Sequence, residues 1–204
     1  MKRYFRYIAL LMAASLAGVC AASAQQAEIY IDKLYEAEGY RMVAATPQYE
    51  RNGAFDSGPI VALGVSVQTY TDGKTPPTLC LHIIYSASTG FAIPKGGTIL
   101  LKLSDDTVIE LHNLLETEQT IDRTGTYHAA YGMTQHQNQA KTAITPEQIR
   151  DISEKGIIKI RTELENAHFD LKYRKPKFRN ILQQQYDLIE VALATRTGDI
   201  REGF

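Results

Sequence analysis

The chain of 204 residues carries 22 basic and 23 acidic side chains, and its formal net charge of −1 argues against a dedicated nucleic-acid-binding protein. It contains two cysteines and no tryptophan, whereas tyrosine occurs 12 times. The length suits one domain with its own apolar core, and the cysteine count excludes a disulfide-stapled scaffold.

The first 24 residues have the pattern of an export signal. Three basic residues precede an apolar run, and the run ends in Ala22-Ser23-Ala24, the small residues that signal peptidase accepts. We expect cleavage after Ala24, which removes three positive charges and lowers the net charge from −1 to −4. The mature protein, residues 25–204, is then a single β-rich domain whose one cysteine, Cys80, has no partner for an intrachain disulfide.

The N-terminal pattern also allows two alternatives to a cleaved signal. A retained anchor is not favoured, because the apolar run is shorter than the roughly 20 residues that span a bilayer. Lipidation at Cys20 is suggested by Leu16-Ala17-Gly18-Val19-Cys20, although Val19 stands where such a motif has Gly, Ala or Ser. The sequence therefore predicts a periplasmic or extracellular protein with no membrane span after cleavage.

The first half of the mature chain predicts strands. Ile60 to Tyr70 alternates apolar and small or polar residues, and Thr78 to Ser86, apolar on both faces, suits a central partner strand. Tyr40 to Ala45 predicts a short strand. Gln25 to Tyr40 fits neither helical nor strand period and is expected to be irregular, with at most a short strand at its start, and Gln48 to Gly58 is expected to be a loop.

The strongest alternation runs from Lys95 to Asn113. It predicts a β-hairpin around Ser104-Asp105-Asp106, in which the two aspartates are turn residues rather than a catalytic carboxylate pair. The following stretch is the hardest to interpret. Thr126 to Met133 favours one more strand, whereas the polar run Thr134 to Gln139 is expected to be exposed.

The last third predicts two helices around a strand pair. Thr145, Pro146 and Gln148 form a capping-box signature for a short helix near 146–155, which Gly156 would end. The next segment predicts a strand with Lys159 and Arg161 facing outward, and His168 to Tyr173 is its expected partner. An apolar stripe of helical period then predicts a helix near 178–195, formed by Phe178, Ile181, Leu182, Tyr186, Ile189 and Leu193.

Together these elements predict a mostly β, α+β domain. We expect an antiparallel β-sandwich or strongly bent sheet of about eight strands, with the short helix near 146–155 and the C-terminal helix near 178–195 packed on it. No internal repeat or low-complexity tract suggests a second domain.

The order of elements resembles small exported proteins of unknown function from Bacteroidetes. The resemblance rests on the export signal, the KLSDDTVIEL hairpin and the ITPEQIRDISEKGIIKIRTEL helix-then-strand unit, and it covers roughly Leu79 to Tyr173. It implies a location in the envelope or outside the cell, and it transfers no catalytic residue. The C-terminal helix is not part of that pattern.

The most concentrated chemical feature is the basic segment LKYRKPKFRN. Its candidate binding residues are Lys172, Tyr173, Arg174, Lys175, Lys177 and Arg179. Basic and aromatic side chains in alternation can hold an anionic partner, such as an acidic glycan, a lipid headgroup or nucleic acid. The alternative is a solvated connector between the last strand and the C-terminal helix.

Catalytic and metal-binding signatures are weak. Cys80 lies in the most apolar strand and is expected to be a buried thiol, and the chain has no GxSxG or SxxK unit for a serine nucleophile. His128, His136 and Asp122 could approach a metal, but their spacing is nonspecific, so no metal site and no cofactor is expected.

We therefore expect an exported noncatalytic binding or interaction module, whose partner is a protein, a glycan or another envelope component. The alternative is a secreted hydrolase-type enzyme that acts on an extracellular polymer. Its active residues would be dispersed among Glu118, Asp122, His128 and His136.

Overall fold

The computed structural model describes residues 27–50, 60–87, 90–115, 121–123 and 135–195. Within these residues the chain forms eleven strands and two helices. In chain order they are β1 Ile29–Tyr35, β2 Tyr40–Ala45, β3 Gln48–Glu50, β4 Ile60–Tyr70, β5 Thr78–Ala87, β6 Thr98–Leu103, β7 Val108–His112, β8 Ile121–Arg123, β9 Gln135–Ala143, α1 Pro146–Lys155, β10 Ile157–Glu163, β11 His168–Lys177 and α2 Ile181–Thr195.

The strands form two antiparallel sheets. The large sheet has the order β1-β2-β4-β5-β9-β8, with the short β3 also paired to β4, and the small sheet has the order β11-β10-β6-β7. Alternate residues of both sheets face a shared apolar core, in which side chains such as Leu81 and Ile160 are fully buried. The predicted mostly β fold, a β-sandwich or bent sheet with two helices, is confirmed, with more strands than the roughly eight expected.

The predicted hairpin is β6 and β7 of the small sheet. Leu101 pairs with Ile109, and both face the core, while Asp106 adopts a left-handed backbone with φ of 68° at the turn. The turn also contacts α1, since the Ser104 hydroxyl donates to the Lys155 carbonyl at 2.7 Å and Asp105 pairs with the Lys155 ammonium at 3.0 Å. The two aspartates are thus turn residues, and the hairpin positions the end of α1.

Two segments expected to be irregular or exposed are strands. Gln25 to Tyr40 contains the seven-residue edge strand β1, which is longer than the short strand expected at the start of this segment. The polar run Thr134 to Gln139 was expected to be exposed, but it contributes to β9, which lies between β5 and β8. Asn138 there is buried and accepts a hydrogen bond from the Phe91 backbone N–H at 3.1 Å.

The loop expected from Gln48 begins instead with β3, which pairs with β4 through residues 48–50. The rest of that expected loop, residues 51–58, lies outside the described residues, as do the export signal and the strand expected from Thr126 to Met133. None of the described helices is long and apolar enough to cross a membrane.

Helix α1 begins and ends as the sequence predicts. The Thr145 side chain accepts a hydrogen bond from the Gln148 N–H, the Gln148 side chain accepts one from the Thr145 N–H, and Pro146 occupies the first turn. Gly156 follows the helix with φ of 76°, and a Cβ there would lie 2.8 Å from Pro176. Glycine is therefore required at this position both for its backbone angle and for space.

Helix α2 begins three residues later than the apolar stripe predicts. Phe178 and Asn180 adopt left-handed backbone angles, with φ of 64° and 62°, so they precede the helix rather than belong to it. The Phe178 ring is nevertheless fully buried and packs edge-on against Tyr173 at 6.0 Å. The helix packs against β2 and β4, where Leu182 and Ile189 join the shared core.

Candidate functional site

The basic segment is mostly strand, not a connector. Strand β11 extends from His168 to Lys177, four residues beyond the expected end at Tyr173, and it forms an edge of the small sheet. The register between β11 and β10 shifts between two pairs, Lys172 with Lys159 and Lys177 with Ile157. A β-bulge or similar irregularity therefore lies between Lys172 and Lys177. The connector of the alternative interpretation is therefore confined to residues 178–180, of which Phe178 is fully buried.

The structure divides the six candidate binding residues. Lys172, Arg174 and Lys175 are exposed, and alternation along the strand places Lys172 and Arg174 on the outer face of the small sheet. Tyr173 faces the core and is only 8% exposed, so it is not available to a partner. Burial also raises the pKa of its phenol far above the usual range.

The remaining two candidates have structural roles. The Lys177 ammonium pairs with the Glu50 carboxylate at 2.9 Å and so ties β11 to β3. The Arg179 guanidinium donates to the Lys155 carbonyl at 3.2 Å, at the C-terminal end of α1, where a cation is favoured by the helix dipole. Neither residue lies on the strand face that carries Lys172.

A row of lysines crosses the outer face of the small sheet. Lys159 of β10 is the register partner of Lys172 on β11 and of Lys102 on β6. Adjacent strands lie about 4.8 Å apart, so three ammonium-bearing side chains stand side by side over about 10 Å. We call Lys102, Lys159 and Lys172 the lysine row.

A second row lies beside the lysine row on the same face. Arg161 of β10 is the register partner of Asp170 on β11 and of Leu100 on β6, and Leu100 is paired with Glu110 on β7. We call these four residues, Asp170, Arg161, Leu100 and Glu110, the mixed row. The outer face thus presents a purely basic row next to a row that contains two carboxylates.

Asp170 is the main counter-charge of this face. Its carboxylate accepts two hydrogen bonds of 2.7 Å from Arg161 and lies 2.8 Å from the Lys159 ammonium. These hydrogen bonds, first from Arg161 and then from Lys159, hold the pKa of Asp170 well below its usual range. Lys102 is paired with Asp106 at 2.6 Å, across the hairpin turn.

A shallow apolar depression lies between the cations. It has a volume of about 150 Å³ and is lined by Leu100, Lys102, Val108, Lys159 and Arg161. Val108 is 53% exposed, and it pairs with Lys102 at the turn end of the hairpin. An anionic ligand with an apolar surface could therefore contact charge and hydrocarbon together.

Sequence reasoning placed Lys159 and Arg161 on the outward side of their strand but did not connect them with Lys172. A signal was available, because Lys102, Lys159 and Lys172 each lie on the polar side of an alternating strand. The sequence alone does not give the register between the strands, and it is this register that brings the three lysines together.

The large sheet carries a separate polar cluster on its outer face. The Nε2 atom of His82 lies 2.7 Å from the Ser66 hydroxyl, and its Nδ1 atom lies 3.1 Å from the Gln139 amide nitrogen. Ser66 is fully buried, so its hydroxyl is not accessible to a substrate. Cys80, the register partner of Ser66, is buried as predicted, and its burial raises the pKa of its thiol. These contacts fit a structural cluster.

His82 makes stability depend on pH. Burial, together with the nearby Lys141 ammonium, lowers the pKa of His82 from 6.5 to about 4. The unfolded chain therefore binds this proton first as the pH falls, and the free energy of unfolding should decrease by about 3 kcal/mol between pH 6.5 and 4. Above pH 6.5 this contribution is fully present and constant.

Chemical denaturation at several pH values measures this effect. His82→Gln should flatten the dependence between pH 6.5 and 4, because the group that titrates is gone. His168→Gln is the control, because His168 is exposed and lies 4.0 Å from the Asp170 carboxylate, so its replacement should leave most of the decrease caused by His82 in place. Identical pH profiles for the wild type and the His82 variant would contradict the assignment.

The structure describes two of the four residues of the enzyme alternative, Asp122 and His136. Asp122 of β8 and His136 of β9 are direct register partners in the large sheet. Glu118 and His128 lie outside the described residues. In the part of the chain that the structure describes, no three His, Cys, Asp or Glu residues are grouped so that they could hold a metal ion.

Comparisons with protein-family models, with curated proteins and with solved structures gave no significant match to this chain.

Proposed function

We propose that the protein is a noncatalytic binding module of the bacterial envelope, and that the outer face of its small sheet binds an anionic partner. The observation that carries the proposal is the lysine row. Like charges placed directly opposite one another destabilise a sheet, so three adjacent lysines are unfavourable for folding alone. A bound anion would remove that repulsion.

The charges around the row support the same proposal. Lys102 and Lys159 each have one carboxylate partner, and the Asp170 carboxylate is shared between Lys159 and Arg161. Arg174 adds a further cation on the exposed side of β11. The outer face of the small sheet therefore carries several basic side chains close together, although the whole chain has a net charge of −1.

The location is part of the proposal. The N-terminal pattern that ends at Ala24 supports export to the periplasm or the cell exterior, with lipidation at Cys20 as the alternative. The resemblance to small exported Bacteroidetes proteins supports the same location. A binding module there would meet the acidic polymers and lipids of the envelope.

Replacing the lysine row tests the proposal. Combined Lys102→Gln, Lys159→Gln and Lys172→Gln substitutions should weaken binding to a carboxymethyl matrix at low salt by about tenfold or more. The reason is that each exposed ion pair is worth up to about 1 kcal/mol, and 1.4 kcal/mol is a factor of ten. Retention volume measured against salt concentration gives the result. The thermal transition should change little, because the relief of lysine repulsion offsets the loss of the Lys102–Asp106 and Lys159–Asp170 ion pairs.

A matched variant controls for total charge. Lys33, Lys74 and Lys95 are exposed and lie away from the row, so their triple replacement by Gln changes the net charge equally. This control variant should keep most of the wild-type retention volume on the carboxymethyl matrix. Equal losses in the two triple variants would show that the protein has no specific anion-binding face and would overturn the proposal.

A single substitution gives the opposite change. Asp170→Asn removes the carboxylate that holds Arg161 and Lys159, while the amide keeps nearly the same shape. Retention on the same matrix should therefore increase. Unchanged or reduced retention would mean that these two cations do not take part in binding.

A further inference from the structure

The lysine row is linear, and its direction restricts the shape of a partner. Its three side chains come from three neighbouring strands, so the row runs across the strands at intervals of about 4.8 Å. A single small anion would contact one or two of these ammonium groups. An extended chain that carries one acidic group per repeat can contact all three at once.

The neighbouring mixed row restricts the chemistry. Asp170 and Glu110 place carboxylates beside the lysine row, and Glu110 is largely exposed. Carboxylates accept hydrogen bonds from hydroxyl groups but repel phosphates and other anions without donors. A partner with acidic groups on one side and hydroxyl groups on the other fits both rows.

The apolar depression supports the same partner. Leu100 and Val108 lie among the cations, where they can contact the C–H surface of a sugar ring. The aromatic residues Phe169 and Tyr173 of β11 face inward, and no aromatic ring of Phe, Tyr or Trp lies on the described outer face of the small sheet. Single-stranded nucleic acid is bound largely by stacking on such rings, so it is disfavoured.

We infer that the lysine row and the mixed row bind a linear acidic polysaccharide, with the sugar chain running across β11, β10 and β6. This inference rests on the proposed anion-binding function and specifies its ligand class. The acidic group of each successive sugar contacts one lysine, and sugar hydroxyls donate to Asp170 and Glu110. Carboxylates recur once per sugar in an extended uronate chain, at a spacing similar to that of strands.

Galacturonate oligomers of defined length test the inference. Calorimetry at low salt should show that the trimer binds at least tenfold more tightly than the monomer, because it contacts the whole row. A methyl-esterified trimer, which has the same sugars but no charge, should not bind measurably. The triple Lys→Gln variant of the row should lose the difference between trimer and monomer.

Two further probes separate the possible partners. A thymidylate oligonucleotide with three phosphates and vesicles of phosphatidylglycerol carry comparable charge without the array of sugar hydroxyls. Tighter binding of either probe than of the trimer would overturn the inference, as would equal affinities for monomer and trimer. If the row variants lose retention on the carboxymethyl matrix but trimer and monomer bind alike, the ligand class is wrong and the anion-binding function stands.

Discussion

Gln185→Leu should lower the free energy of unfolding by about 3 kcal/mol or more, because leucine keeps most of the volume of glutamine but none of its hydrogen bonds. Gln185 is fully buried within α2. Its side-chain oxygen accepts from the Val65 N–H at 3.0 Å, and its amide nitrogen donates to the carbonyls of Thr46 at 3.0 Å and Leu63 at 3.3 Å.

The position of this glutamine explains the size of the effect. Strand β4 pairs with β2 as far as Ser66 and with β3 from Leu63, so the ladder is interrupted between these two residues. Thr46 and Pro47 separate β2 from β3 at this point. The Gln185 side-chain amide makes the hydrogen bonds to the backbone that a residue of a continuous strand would otherwise make. Each buried backbone group left without a partner costs about 1 to 3 kcal/mol.

The neighbouring glutamine provides the control. Gln184 precedes Gln185 in the run of three glutamines, but it is exposed. Gln184→Leu should therefore change the free energy of unfolding by less than about 0.5 kcal/mol, as for most surface substitutions. Urea denaturation of both variants measures the difference, and equal stabilities would show that the Gln185 contacts contribute little.

The helical period of the apolar stripe also predicts that Gln185 is buried. Gln185 lies three residues after Leu182 and four before Ile189, so it falls within the buried face of the helix. A polar residue at such a position requires buried partners. Those partners are backbone groups about 120 residues away in the chain, and no local pattern could identify them.

Strand β9 shows why other parts of the fold were not predicted. Ala140 faces the core, but the core side of the strand also carries the buried Asn138 and Thr142, so its apolar alternation is weak. The hairpin and α1 were predicted because their signals are local, in alternation, turn residues and caps. The burial of β9 depends on long-range pairing with β5.

The candidate site has the same dependence on long-range structure. The basic segment was visible because its cations are adjacent in the chain, yet the structure assigns Lys177 and Arg179 to ion-pair and helix-end contacts. The lysine row combines one residue of that segment with residues of β6 and β10. Outward alternation was predictable for each residue, whereas their side-by-side arrangement follows from sheet order and register.

The two faces of the small sheet differ in composition, and only the inward face is needed for the core. Inward residues such as Leu101 and Ile160 hold it to the large sheet, and the Tyr85 hydroxyl joins the two sheets through a 2.5 Å hydrogen bond to Thr162. The outward rows are free to vary without loss of the core. Substitutions in the lysine row should accordingly separate binding from stability, which substitutions in α2 cannot do.

Deleting the chain after Asn180 should abolish cooperative folding. The deletion removes α2, including the fully buried Leu182 and Ile189, whose burial is worth about 3 to 6 kcal/mol together. It also removes the Gln185 contacts and the hydrogen bond from Arg41 to the Ala192 carbonyl. These losses approach the total stability of a typical domain, which is about 5 to 15 kcal/mol.

The deletion also uncovers apolar residues of the large sheet. Val43 and Val65, which lie in the same core cluster as Leu182, would meet water, so the truncated protein should aggregate or show no thermal transition in calorimetry. A chain that ends at Thr195 keeps the whole of α2 and serves as the control, with an expected transition close to that of the full chain. A soluble truncation at Asn180 that unfolds cooperatively near the transition temperature of the control would mean that the two sheets and α1 form the domain without α2.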